Sequence, residues 1–187
     1  RRPKLTNFAF TIYHILYMKK YILNFKVVEN RHLHELYSLL ILSPIDGMLP
    51  EVLPGQFVQI AVDNSKTTFL RRPISINYID RKNGTLWLLI RKAGDGTKAI
   101  TEKKAGDTIN MVLPLGNSFN APEEATQVLL IGGGVGVAPL LYLGEVLKKD
   151  GYVPHFLIGA RSYKDVLELD EFNNIGQVHV STEDGSY

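Results

Sequence analysis

The sequence predicts a small antiparallel β-barrel of six strands followed by an α/β unit built on a parallel sheet. Between residues 21 and 113, six short apolar runs alternate with turn residues at the spacing of a small barrel. After Pro122 the order becomes strand, helix, strand, helix, strand, which makes right-handed crossovers and a parallel sheet. Four glycines, Gly132, Gly133, Gly134 and Gly136, stand between the first of those strands and the first of those helices.

The barrel strands are expected at 21–28, 36–42, 57–60, 74–79, 86–90 and 108–112. Their separators carry turn chemistry: Pro44 with Asp46-Gly47, Pro54-Gly55, Asn83-Gly84 and Gly106-Asp107. Asn83-Gly84, between two short apolar runs, is a hairpin signal. One helix is expected at 97–104, with Thr97 as its cap and Lys103-Lys104 at its C-terminus. Residues 114–122, with Gly116, Asn117, Ser118 and Asn120, read as a linker. Strand 127–131 and helix 138–149 follow, with Pro139 in the first helical turn where its missing N–H costs little. Tyr142, Val146 and Lys149 share one helix face and Leu140, Leu143 and Leu147 another, so this helix should be largely buried. Strand 155–158, helix 163–172 and strand 177–181 complete the unit.

The expected organisation is therefore an N-terminal extension over 1–17, a barrel domain over 18–116 and an α/β domain over 117–187. Arg1, Arg2 and Lys4 precede an apolar stretch at 8–17, but no small-residue cleavage site follows. That stretch is also about half the ~20 residues a bilayer span requires. It reads as an extension ahead of a domain starting near Met18, with a cytoplasmic location and no membrane contact expected. A three-stranded parallel sheet leaves a face and an edge open, so the α/β domain is expected to be truncated.

With 187 residues, 45% hydrophobic and 21% charged, the composition is that of a globular protein. A formal charge of +2 gives no electrostatic case for nucleic acid. Zero cysteines exclude disulfides, a thiol nucleophile and any Cys-held zinc or iron–sulfur site within these residues. His32 and His34 flank Leu33 without a third ligand in a metal pattern, so no metal is expected in this chain.

Three strings carry possible chemistry. Arg72-Pro73-Ile74-Ser75 opens a strand; it reads either as solvated arginine beside a strand serine or as a planar donor fork for pyrophosphate. Gly94-Asp95-Gly96-Thr97 leads into a helix and reads either as a plain turn or as a phosphate loop at a helix start. Gly132 to Pro139, at the end of a parallel strand, is the common place for a nucleotide phosphate. The G-x-G-x-x-G dinucleotide fingerprint is nevertheless absent, because Val137 stands at its third position and Arg161 where an acidic residue would sit.

In this order, across a barrel and then an α/β unit, these strings resemble the ferredoxin–NADP⁺ reductase superfamily. Within it they are most similar to the electron-transfer subunits of NAD-dependent (class B) dihydroorotate dehydrogenases, a likeness that also takes in Gly159-Ala160-Arg161 and Thr182 to Ser186. The resemblance implies a barrel that holds FAD and an α/β domain that docks NAD. Arg72 would then bind the flavin pyrophosphate, with Pro73 and Ile74 beside it, and Ser75 would stand next to the reactive flavin nitrogen as the catalytic residue. Gly94, Gly96 and Thr97 would cradle the FAD phosphates. Gly132, Gly133, Gly134, Gly136 and Pro139 would border the NAD site, with Asp184 and Gly185 near the same cleft. Members of the family also carry four cysteines for a [2Fe–2S] cluster, expected here only in a full-length protein. The implied function is oxidoreductase electron transfer in pyrimidine biosynthesis, in a hetero-oligomer with a flavin-containing subunit that oxidises dihydroorotate. A reductase subunit serving ferredoxin or a hydrogenase, or a non-enzymatic nucleotide-binding module, are the alternatives. NAD against NADP stays open at this stage.

Overall fold

A computed structural model describes residues 19–63, 67–122 and 126–187. The extension over 1–17 and the start near Met18 lie outside the described residues. Among the described residues, ten strands form two sheets. The first sheet contains β1 (Tyr21–His34), β2 (Tyr37–Pro44), β3 (Phe57–Ile60), β4 (Arg72–Ser75), β5 (Tyr78–Asp80), β6 (Thr85–Arg91) and β7 (Thr108–Leu115). The second contains β8 (Gln127–Gly133), β9 (Val153–Ala160) and β10 (Gln177–Thr182).

The first sheet runs in the order β4-β3-β7-β1-β2-β6-β5, antiparallel throughout. Its two edge strands, β4 and β5, are separated in sequence by Ile76 and Asn77 alone. A sheet whose opposite edges are joined by two residues must curl until those edges converge at the link, so it forms a curled half-barrel whose edge strands are joined by chain and not by a ladder. This is also why seven strands replace the expected six. The run 74–79 changes partner midway: Ile76 N–H donates to Gln56 O (3.0 Å) and Asn77 N–H to Trp87 O (2.9 Å).

Helix α1 (Asp95–Thr101) begins two residues earlier than expected and Gly94, not Thr97, is its N-cap. The Thr97 hydroxyl folds back to accept from the N–H groups of Ala93 (2.9 Å) and Gly94 (3.1 Å), which closes the turn before the helix. The segment 163–172 is not one helix. A short 3-10 turn (Tyr163–Asp165) and α3 (Leu169–Ile175) are divided by Glu168, which has φ +54. The expected linker is packed rather than free: Phe119 N–H donates to Pro54 O, and the Phe119 ring lies against Gly55.

β2 is buried on both faces from Tyr37 to Leu42. Leu40 and Leu42 point into the barrel with Phe25, Val58, Ile60, Leu86 and Leu88, while Tyr37 and Leu39 point outward. That outer side packs under α2 (Ala138–Lys149), where Leu140, Leu143 and Leu147 join Leu130, Phe156 and Phe172 in a second core. Tyr142, from the other face of α2, enters the barrel core, and its hydroxyl donates to Val52 O (3.2 Å). The helix is thus a wedge between the two sheets, as its two apolar faces predict. In the parallel sheet, ordered β10-β9-β8, Leu129, Ile131 and Val153 are exposed.

Candidate functional site

Arg71 and Arg72 diverge from the start of β4. Arg71 is consumed by the barrel, donating to Asn110 Oδ1 (2.6 Å), Gln59 O (3.2 Å) and Asn110 O (3.3 Å). The guanidinium of Arg72 carries no hydrogen bond or ion pair among the described residues. Its stem lies on Gly96, where an added Cβ would come within 2.9 Å of Arg72 Cδ and 3.0 Å of Thr68 Cγ2. Arg72, Thr67, Thr68 and the turn from Ala93 to Thr97 enclose a cleft of about 360 Å³.

Lys98 N–H makes the first bond of α1, to Gly94 O (2.8 Å), so the N–H groups of Asp95, Gly96 and Thr97 lack acceptors within the helix. The Thr97 hydroxyl is already engaged with Gly94, and the Asp95 carboxylate accepts from Thr67 (2.9 Å). A free guanidinium fork facing uncommitted amides across a cleft, with no room at Gly96 for a side chain beneath the Arg72 stem, fits a phosphate-bearing ligand. The residues present therefore fit the pyrophosphate of a dinucleotide.

Ser75 ends β4 opposite Phe57, half-buried, and its hydroxyl has no hydrogen-bond partner among the described residues. Three residues along a strand turn a side chain to the other face and move it roughly 10 Å, so Ser75 and Arg72 do not share a cleft. Pro73 is exposed on this edge strand, where a missing N–H is tolerated, and Ile74 packs on the barrel core.

The glycine turn divides into two roles. Gly132 is a packing glycine: a Cβ there would lie 2.8 Å from Leu140 Cδ1 and 3.1 Å from Gly136 O. Gly133 and Gly134 line a second cleft of about 310 Å³ at the C-terminal ends of all three parallel strands. Ligands of open α/β sheets bind at that end. Gly134, at φ +52, begins the 3-10 turn Gly134–Val137 that leads into α2, with Pro139 in its first turn. Gly136 borders the turn in open space. The cleft's far wall is Ser181, Thr182 and Glu183, while Asp184 and Gly185 sit in the turn just beyond. Hydrogen bonds from the hydroxyl and main-chain N–H of Ser186 hold the Asp184 carboxyl below the usual carboxylate range.

Two residues of this cleft carried no sequence signal. Tyr37 reaches it from the barrel strand β2, and Asp165, 4.0 Å from Arg161 and 3.9 Å from His34 Nδ1, lies on a turn read as helix. His32 Nδ1 is 3.0 Å from Ser38 Oγ, and no three His, Asp or Glu side chains among the described residues converge on a metal-sized site. No helix among them is long and apolar enough to cross a membrane.

No protein-family model matches the chain. It is 40% identical over 136 residues to the dihydroorotate dehydrogenase B (NAD(+)) electron transfer subunit of Shouchella clausii (strain KSM-K16), covering 72% of this chain and 52% of that protein. Identity is also 40% over 136 residues to the protein of the same name from Fusobacterium nucleatum subsp. nucleatum, covering 71% and 52%. The chain thus spans about half the length of the curated relatives it matches. Among solved structures, an NADH-dependent reduced ferredoxin-NADP oxidoreductase superposes with a TM-score of 0.74 at 29% identity, over 87% of this chain and 57% of that one. Phthalate dioxygenase reductase superposes at 0.73 and 19% identity, over 88% and 52%, and shares the fold. A curled antiparallel sheet followed by a parallel one is therefore a ferredoxin reductase-like fold.

Proposed function

We propose that this chain is the FAD- and NAD-handling portion of an NAD-dependent dihydroorotate dehydrogenase electron-transfer subunit, a flavoprotein oxidoreductase of pyrimidine biosynthesis. Its barrel domain, residues 18–116, holds FAD, and its α/β domain, residues 117–187, receives the nicotinamide nucleotide. The observation that carries the proposal is the unpaired Arg72 fork lying over Gly96 beside the free amides of α1.

Arg72 grips the pyrophosphate, and Gly94, Gly96 and Thr97 shape the loop that receives it. Ser75 donates its hydroxyl to the flavin ring farther along β4. Gly133 and Gly134 admit the nicotinamide nucleotide to the cleft above the parallel strands, while Tyr37 and Thr182 close its sides. When bound, the flavin supplies hydride exchange with the nicotinamide and single-electron transfer onward. The chain's own residues anchor, orient and exclude water. A catalytic flavin-containing subunit in a cytoplasmic hetero-oligomer is the proposed partner, and a [2Fe–2S] cluster belongs to sequence beyond these residues.

Reconstitution decides the matter. The purified chain mixed with FAD should emerge from gel filtration yellow at near one flavin per chain, and NADH under anaerobic conditions should bleach it. A folded chain that stays colourless with excess FAD overturns the proposal. Ser75→Ala should leave FAD affinity within about threefold but slow the bleaching about tenfold, the worth of one hydrogen bond of roughly 1.4 kcal/mol. An unchanged stopped-flow rate would remove Ser75 from that role.

A further inference from the structure

Where the barrel closes, Asn77 is fully buried and bonded to the α/β unit in three ways. Its main-chain carbonyl accepts from Tyr142 N–H (3.1 Å). Its amide donates to Ala138 O (3.1 Å) and to Glu168 Oε2 (2.9 Å). Ala138 and Tyr142 are one helical turn apart at the start of α2, so a single barrel residue holds both ends of that turn. Glu168, 7% exposed and left-handed at φ +54, is the residue that interrupts the chain between the 3-10 turn and α3. A non-glycine residue in that conformation persists only where its surroundings demand it.

Two buried oxygens at this contact have no partner: Asn77 Oδ1 and Glu168 Oε1. Each belongs to a group whose other polar atom, Asn77 Nδ2 or Glu168 Oε2, is already bonded across the same pair. Both are acceptors if Glu168 is ionised, and both are satisfied at once if Glu168 Oε1 carries a proton and donates it to Asn77 Oδ1. A buried unpaired polar atom is costly, and one proton here removes two of them.

We propose that Asn77 and Glu168 are positioning residues: as a doubly hydrogen-bonded amide–carboxylic acid pair they pin the first turn of α2, and with it the glycine turn, at a set distance from Ser75. Asn77 lies two residues beyond Ser75, and Ala138 directly follows the 3-10 turn that begins at Gly134. Hydrogen bonds from Asn77 to Ala138 and Tyr142 thus tie the end of the strand that carries Ser75 to the helix that follows the glycine turn. Burial pushes the Glu168 carboxyl up to about 8, outweighing the hydrogen bond from the Asn77 amide, which lowers it, and the like charge of Glu171, on α3 itself, adds to the rise. On α2, Glu145 is engaged with Lys149 and with Tyr78 of β5, and the Tyr142 hydroxyl donates to Val52 O; no cation acts on Glu168 among the described residues.

The positioning role rests on the flavin reading above, whereas the acid–amide pair does not, and the two are tested separately. The folded chain keeps a proton that the unfolded chain releases above the ordinary value of 4.5. Its stability should therefore fall as pH rises from about 4.5 through about 8, then level. Glu168→Gln can make both hydrogen bonds without titrating. Its thermal midpoint should match the parent's at pH 5, exceed it increasingly up to pH 8 and keep a constant lead above. A constant offset across this range, or a parent that gains on Glu168→Gln as pH rises, overturns the pair. In the FAD-loaded chain, Asn77→Ala and Glu168→Ala should lower the limiting rate of bleaching by NADH about tenfold without loosening FAD, the effect of a small misplacement. Glu168→Gln should restore that rate. An unchanged rate in folded Asn77→Ala, or a chain that takes up no FAD, overturns the positioning role, while the pH profile still decides the pair.

Discussion

Arg72→Ala should give a folded, colourless protein. Arg72 has no partner within the described chain, so removing its guanidinium takes nothing from the fold beyond the contact of its stem with Gly96. A charged hydrogen bond contributes about 1.5–3 kcal/mol, and a planar fork makes two to one pyrophosphate. Losing both should weaken FAD binding by at least about a hundredfold, read by fluorescence titration or by absorbance after gel filtration. Arg72→Lys keeps the charge but not the fork and should fall between. Arg71→Ala is the contrasting variant. That side chain ties β4 to Asn110 and Gln59, so its loss should lower the melting temperature and leave flavin affinity nearly intact. Full FAD occupancy in Arg72→Ala would remove the pyrophosphate role.

Phe156→Ala should cost about 3–5 kcal/mol of stability, a large part of what a domain of this size possesses. Phe156 is fully buried at the centre of the second core, its ring 4.8 Å from that of Phe172. Gly144 on α2 is a glycine because of it, and Gly176 after α3 is one chiefly because of the Pro154 carbonyl beside it. A Cβ at Gly144 would collide with the Phe156 ring, and one at Gly176 with the carbonyl of Pro154 and the same ring. Helix and turn have been brought close enough to leave a phenyl-shaped space, and alanine cannot fill it. Urea unfolding followed by circular dichroism measures the loss; a change below about 1 kcal/mol would mean that the core collapses around the gap.

The architecture was legible because its signals are local. Asn83-Gly84 stands between β5 and β6, and the apolar periodicity of 138–149 marks α2 to the residue. The strand count was misjudged because the run 74–79 reads continuously, and nothing in Ile76 or Asn77 announces that the chain leaves one neighbour for another. The start of α1 was misplaced because Thr97 has the chemistry of a cap. Its hydroxyl does bond the turn, but from inside the helix. Arg72, Gly94 and Gly96 were singled out separately by residue type, and the fold brings them together on one cleft. Gly132 had the look of a ligand contact, and the space it saves is taken by Leu140. Tyr37, Asn77 and Glu168 left no trace, because their importance comes from contacts 61 to 91 residues away or from a cleft built by another sheet.

Because the barrel closes by covalent continuity at Ile76 and Asn77, β4 is hydrogen-bonded on one side alone, to β3. A planar ligand can lie along its outer margin without unzipping any ladder, and once seated it stands where a neighbouring strand would otherwise be. Emptied, the same margin is an unguarded template for another chain's backbone. On the flavin reading proposed above, a seated cofactor shields that margin against self-association, and colloidal behaviour becomes tied to occupancy.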